Sequence, residues 1–146
     1  MNGFLLDTNV LSELRKGSRC DPGVRKWFDR TASEELFVSV LVLGEVRQGI
    51  ERIRLRDQAQ ARTLEEWLRG ISTEFADRIL PVDEVVADQW GRMGSRQPVP
   101  VLDAFLAATA LTQELVVVSR DEVGFANTGV RVLNPFEPAG RLQPPS

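Results

Sequence analysis

Histidine is absent from this chain of 146 residues. That absence removes Ser-His-Asp and Cys-His nucleophilic catalysis, imidazole acid–base chemistry and every zinc site that needs a histidine ligand. Cysteine occurs once, as Cys20, so neither an intramolecular disulfide nor a cysteine cluster can form. The lysines are Lys16 and Lys26 alone, and neither stands in a GxxxxGK[ST] string, which excludes a Walker phosphate loop. Long apolar runs are missing too. The stretches around Val40 to Leu43 and Val99 to Leu111 are broken by acids, Pro and polar residues well before the roughly 20 apolar residues a bilayer requires. The opening Met1-Asn2-Gly3-Phe4-Leu5-Leu6-Asp7 is too short in apolar residues, and uncharged at its front, to read as a secretory signal. A cytoplasmic protein is the expectation.

The length suits one domain, and 42% apolar, 27% charged and 7% aromatic residues place the chain among ordinary globular proteins. A net charge of −3 argues against a large non-specific nucleic-acid footprint, although a count does not report where charges sit. Sixteen of the eighteen basic residues are arginine. Arginine is the side chain best suited to bidentate phosphate contacts, and codon usage would enrich it equally well.

Short apolar strands alternate with longer helices along the chain. Phe4-Leu5-Leu6 reads as a buried strand running into a helix over Val10 to Arg15 capped by Thr8 or Asn9. Asp21-Pro22 is a cap followed by proline at the first helical position and opens a helix through Trp27-Phe28. Leu36 to Ser39 is a second strand, and the helical pattern from Ser39 runs through Leu43, Glu45 and Val46 to Ile53. Leu55 to Gly70 reads as an amphipathic helix stopped by Gly70, Ile79 to Val82 as a strand, and Asp83 as the cap of a helix carrying Val86, Trp90 and Met93. A loop over Gly94 to Pro100, an Ala-rich helix over Leu102 to Leu111, and strands at Leu115 to Ser119 and Val130 to Leu133 complete the pattern. It predicts an α/β domain with a short, mainly parallel central sheet flanked by helices, over residues 1–136, and a Pro-rich tail over 137–146. Ligands in such folds collect at the carboxyl ends of strands. The apolar residues Val46, Ile50, Ile53, Leu64 and Trp67 exceed what a small core needs, so some of them should lie at a dimer or antitoxin interface, with core packing as the alternative.

Four acids interrupt apolar sequence: Asp7 after Phe4-Leu5-Leu6, Glu45 after Val40 to Gly44, Asp103 between Val101-Leu102 and Phe105-Leu106, and Asp121 after Val116 to Arg120. Each has an ordinary explanation. Asp7 and Asp103 could be helix caps, Glu45 a helix-surface residue and Asp121 a turn residue. Burying ionised carboxylates without compensation is costly, however, and a parallel sheet could gather all four into one pocket. Crowded carboxylates with no histidine or cysteine suit a hard divalent cation, Mg²⁺ or Mn²⁺, which can activate water toward a phosphodiester without a side-chain base.

At these residues the chain resembles the PIN-domain ribonucleases, specifically the VapC/FitB-like toxins of type II toxin–antitoxin modules. The likeness runs through Leu5-Leu6-Asp7-Thr8-Asn9-Val10 with Ser12-Glu13, Ser39 to Gly49 with Gly44-Glu45-Val46, Ile79 to Asp83, Trp90-Gly91, and Pro100-Val101-Leu102-Asp103-Ala104. It continues through Ala107 to Ala110, Val118-Ser119-Arg120-Asp121 and Val132-Leu133-Asn134-Pro135-Phe136. The resemblance implies a PIN fold, Mg²⁺- or Mn²⁺-dependent cleavage of RNA and a homodimer. It also implies a small antitoxin whose C-terminal segment wraps the toxin and through which the complex binds operator DNA. By the same resemblance Asp7, Glu45, Asp103 and Asp121 are the metal-site acids, with Thr8, Asn9 and Ser119 as polar support. The last motif departs from the relatives, which often carry Asn where this chain has Asp121 and Asp where it has Gly124. If Asp121 has taken over the ligand role, Gly124→Asp in an Asp121→Asn background is expected to restore part of the lost metal binding, while Glu122 points elsewhere.

Two other readings remain to be weighed. A haloacid-dehalogenase-like phosphatase needs a second Asp two residues after the first, where this chain has Asn9, and both it and a response-regulator receiver need a later lysine than Lys26. A catalytically silent PIN-like module that binds RNA or protein is the stronger rival, and intact acids count against it.

Overall fold

The computed structural model describes residues 3–93 and 99–137. Most of the loop expected over Gly94 to Pro100, and the Pro-rich tail beyond Glu137, lie outside the described residues. Five strands form one parallel sheet: β1 (Gly3–Leu6), β2 (Leu36–Ser39), β3 (Ile79–Leu80), β4 (Leu115–Val118) and β5 (Val132–Leu133), in the order β3-β2-β1-β4-β5. The central β1 pairs Phe4 with Leu36 on one side and Leu6 with Val118 on the other. Successive strand residues point to opposite faces, and the consecutive pairs Leu5-Leu6 and Val117-Val118 are all buried. Both faces of the sheet are therefore covered, which is why these strands read as unbroken apolar runs rather than alternating ones.

The helices are α1 (Thr8–Leu14), α2 (Pro22–Arg30), α3 (Val40–Arg54), α4 (Gln58–Glu74), α5 (Glu84–Arg92) and α6 (Val101–Gln113). Four of them open on an aspartate cap, at Asp7, Asp21, Asp57 and Asp83, and α3 opens on Ser39, whose hydroxyl accepts the Leu41 N–H. The first helix thus starts at Thr8, two residues before the expected Val10, because the cap is Asp7 rather than Thr8 or Asn9. Asp21 does double duty, since its Oδ1 accepts the N–H groups of Gly23 and Val24 and also that of Glu137, tying the chain after β5 to the start of α2.

Gly70 does not stop α4. The helix runs on to Glu74 because the stripe of Leu64, Leu68 and Ile71 keeps finding apolar neighbours, and Gly70 itself faces open space. That tertiary gain outweighs the roughly 1 kcal/mol a glycine costs in a helix. Val46, Ile50, Ala61, Leu64 and Leu68 form an apolar cluster between α3 and α4, with Ile53 and Trp67 packed against it. The expectation that some of this stripe lies at an interface is thus corrected to packing inside the chain, because α3 and α4 turn their apolar faces toward each other. The main core lies around the sheet, where Leu5, Leu6, Val38, Val117, Val118, Ala107 and Phe125 pack together.

Strand order reverses at β1: β2 lies on one side of it and β4 on the other. A crevice opens at the carboxyl end of such a switch point, and the chain leaves β1 there through Asp7 and β4 through Ser119, Arg120 and Asp121.

Candidate active site

Asp7 enters the crevice because β1 ends one residue before it and its backbone N–H still bonds the Val118 carbonyl at 3.0 Å, continuing the sheet. Its side chain caps α1, with Oδ1 accepting the Thr8 N–H at 2.8 Å. Oδ2 accepts the Ser119 hydroxyl at 2.7 Å and, at 3.4 Å, the Asn9 amide. Capping and a role in the pocket are therefore not alternatives for Asp7: one oxygen serves each. Burial pushes this carboxyl above its ordinary pKa; the bonds from Ser119 and Thr8 pull it down, and the charges of Glu45 and Asp121 push it up again.

Ser119 is fully buried and is the joint of the site. Its hydroxyl has one proton and two lone pairs, and all three are used: it donates to Asp7 and accepts from the Asn9 amide at 3.1 Å and the Asp121 N–H at 2.9 Å. Asn9 adds a second tie, its Oδ1 accepting the Arg120 N–H at 3.1 Å. The residues after β4 are thus held against the start of α1. Thr8 reaches the other way and donates its hydroxyl to Glu45, the acid that α3 carries into the same region.

Asp103 does not cap α6; Pro100 stands at that position, and Asp103 lies in the first turn, half-buried. Its carboxyl is pushed up to about 6. Burial is the largest cause, followed by the charges of Asp7 and Asp121, a hydrogen bond with Asp121 and the charge of Glu45. All four acids expected from the sequence thus act on one another electrostatically. Asp121 accepts the Gly124 N–H at 2.9 Å, which curls the chain so that Gly124 lies over two carboxylates. A Cβ at Gly124 would sit 2.5 Å from Asp103 Oδ2 and closer still to Asp121 Oδ2. Residue 121 fills the space that a side chain at 124 would need. The exchange through Asp121→Asn is accordingly corrected: an asparagine would obstruct Gly124→Asp as much as the native acid does. Glu122, although adjacent, accepts the Asn134 amide at 3.0 Å and takes no part in the cluster.

An all-oxygen, strongly negative donor set is what a hard divalent cation takes. Among the described residues, no three acidic side chains stand in an ion-holding array as they are. Their oxygens are engaged instead by Thr8, Ser119 and the bond between Asp103 and Asp121, and that last bond requires a proton on one carboxyl. A cation would replace this proton and relieve the repulsion that adds to burial in lifting Asp7 and Asp103. The residues present fit such an ion through Asp7, Glu45, Asp103 and Asp121. Sequence reasoning gave no role to one neighbour, Arg120, exposed between Ser119 and Asp121 with its guanidinium 4.0 Å from the Phe136 ring centroid.

The PIN domain family matches residues 4–130. The chain is 34% identical over 141 residues to toxin FitB of Neisseria gonorrhoeae, which covers 91% of this chain and 98% of that protein. It is 31% identical over 143 residues to the VapC ribonuclease Y4jK of Sinorhizobium fredii, covering 93% and 99%. Among solved structures, FitAB bound to an IR36 DNA fragment matches with a TM-score of 0.81 at 31% identity, over 92% of this chain and 96% of that one.

Proposed function

Because the chain belongs to the PIN domain family, we propose that it is the toxin of a type II toxin–antitoxin module, an endoribonuclease that hydrolyses RNA phosphodiester bonds with Mg²⁺ or Mn²⁺. The observation that carries this reading is the gathering of four carboxylates from the end of β1, α3, α6 and the chain after β4 into one crevice, where burial first and their mutual repulsion second push Asp103 up to about 6. The relatives named ribonuclease and toxin support it over nearly their whole length.

Asp7, Glu45, Asp103 and Asp121 would hold the ion, which when bound supplies Lewis acidity toward water and the scissile phosphate. The chain's own residues do the positioning. Asp7 is fixed by the Ser119 hydroxyl and the Thr8 N–H, so its free lone pairs project from a rigid base. Thr8 orients Glu45, and Asn9 and Ser119 set the turn that presents Asp121. Asp103 holds a proton below about pH 6 and would have to release it to serve as a ligand, which would couple metal binding to pH.

The partners in this reading are RNA as substrate, a cognate antitoxin, operator DNA bound through that antitoxin, and a second copy of the chain. The FitAB complex on DNA supports the antitoxin and the operator. Val85, Trp90, Val101 and Leu102, each exposed on α5 or α6, would supply apolar contact area to a second copy. No helix among the described residues is long and apolar enough to cross a membrane, and the reading places the toxin in the cytoplasm with its RNA. The test is cleavage of RNA by the purified chain with Mg²⁺ or Mn²⁺, stopped by EDTA. RNA binding without cleavage under either metal would leave the silent RNA-binding module in its place.

A further inference from the structure

Arg120 stands between the joint residue Ser119 and the acid Asp121, and what sets it apart from the other arginines without a salt bridge is its place beside the acids and the aromatic ring beneath it. Its side chain is exposed, and among the described residues no carboxylate comes within ion-pair distance of it, although four acids cluster beside its backbone. Its conformation is nevertheless constrained at both ends. The backbone N–H is bonded by Asn9 Oδ1, and the guanidinium lies 4.0 Å from the ring centroid of Phe136, the tightest cation–π contact described. Phe136 is itself buried, and its N–H bonds the Asn134 side chain. This aromatic floor stands just after β5, at the same end of the sheet as the acids.

An unpaired cation that is held still beside a negative site has a plain use when the substrate is also negative. A polyphosphate strand approaching four carboxylates on a chain of net charge −3 is repelled until some positive group engages it. A stacked guanidinium has part of its rotamer freedom already removed and keeps its N–H fork free for two phosphate oxygens. We propose that Arg120, seated on Phe136, is a positioning residue that grips a backbone phosphate of single-stranded RNA next to the one held at the acids. The proposal rests on the ribonuclease reading above, and it concerns binding rather than bond cleavage.

The test measures binding and cleavage separately. A fluorescently labelled single-stranded RNA oligomer is titrated with the full chain in EDTA over a series of salt concentrations, and cleavage of the same oligomer is followed with Mn²⁺. Arg120→Ala is expected to weaken binding about tenfold at low salt. It should also make the slope of log K against log salt shallower by about 0.7, the share of one phosphate on a single strand. A purely structural role would lower thermal stability without moving that slope. Arg120→Lys should keep the slope and recover only part of the affinity, because an ammonium has neither the fork nor the stacking. Phe136→Leu should fall between wild type and Arg120→Ala. An unchanged slope in Arg120→Ala, or no RNA binding by the unmodified chain, overturns the proposal. An unchanged slope with weakened antitoxin binding overturns it as well and assigns the residue to the protein partner. Wild-type binding without cleavage under either metal removes the ribonuclease reading and leaves the Arg120 contact standing.

Discussion

Two groups of charged residues in this molecule are arranged on opposite principles. Between α3 and α4, Glu65 accepts from Arg47 at 2.6 Å and from Arg54 at 3.0 Å, while Glu51 accepts from both arginines at 3.0–3.2 Å. Every member is pushed toward its charged form, the glutamates downward and the arginines upward, chiefly by hydrogen bonds to an opposite charge. In the crevice at the ends of β1 and β4 the acids face one another with neutral donors but no cation, and Asp7 and Asp103 are pushed toward the neutral form, by burial first and by their neighbours' charges second. The helical network is complete as it stands; the crevice is a set of like charges that lacks its counter-charge. Pairing of opposite charges is what structure alone requires, so the unbalanced group is the one that points to a ligand.

The largest effect expected on this contrast comes from Asp7→Asn. It deletes a charge while nearly preserving volume, and relief of repulsion with Glu45 and Asp121 offsets the poorer acceptor presented to Ser119. RNA cleavage should fall by more than the roughly 10–100-fold that loss of a merely orienting partner costs a metal site, with the circular-dichroism spectrum unchanged. Full cleavage at saturating Mn²⁺ would remove Asp7 from the ion.

Next comes the identity of the fourth acid. Asp121→Asn should weaken Mn²⁺ binding about tenfold or more, while Glu122→Gln, whose parent carboxylate is occupied by Asn134, should leave it within about twofold. Because residue 121 fills the space over Gly124, recovery should require Asp121→Gly together with Gly124→Asp; with asparagine at 121 the new side chain would collide. Isothermal titration of the four variants separates these cases. A large loss in Glu122→Gln with an unaffected Asp121→Asn would move the ligand by one residue.

The acids themselves were legible in the sequence because a carboxylate set against an apolar run is anomalous wherever it occurs. So were β1, β2 and β4, whose β-branched and leucine runs match strands covered on both faces, and α2 and α5, whose Asp21-Pro22 and Asp83 signals act locally. What could not be read is what depends on contacts distant in sequence. Two of the three bonds of Ser119 join it to residues more than a hundred positions away, and α4 passes Gly70 only because its apolar stripe meets the core. Arg120 looked like any other arginine until the fold set Phe136 beneath it.

The stability of the metal-free chain should carry the same contrast as a pH dependence. Asp103 has its folded pKa raised from 3.8 to about 6, so between those values the folded chain binds more protons than the unfolded one, and stability falls as pH rises through that window. Urea midpoints in EDTA should therefore decline from about pH 4 to about pH 6 and then level off as far as this group is concerned, with Asp103→Asn flattening the decline. Saturating Mn²⁺ should reverse the trend, since the ion binds the deprotonated acids. A midpoint that rises through this window in EDTA would mean that the crevice acids are compensated by something other than a cation.

The smallest effect belongs to the balanced group. Glu65→Gln removes the negative charge shared by Arg47 and Arg54, but these side chains are solvent-exposed to a substantial degree and Glu51 remains to receive both. Exposed ion pairs contribute little to stability because water and salt compete for each partner. The α3–α4 seam, moreover, is held by Val46, Ile50, Ala61, Leu64 and Leu68 rather than by the charges above it. The urea midpoint should shift only slightly, the shift should vanish at high salt, and RNA cleavage should be unchanged. A salt-insensitive loss of stability would show that the network bears on the packing of the seam. A loss of cleavage without a loss of stability would show that α3 transmits the state of its outer charges to Glu45, two residues before Arg47 on the same helix, and the two charged groups would then act as one.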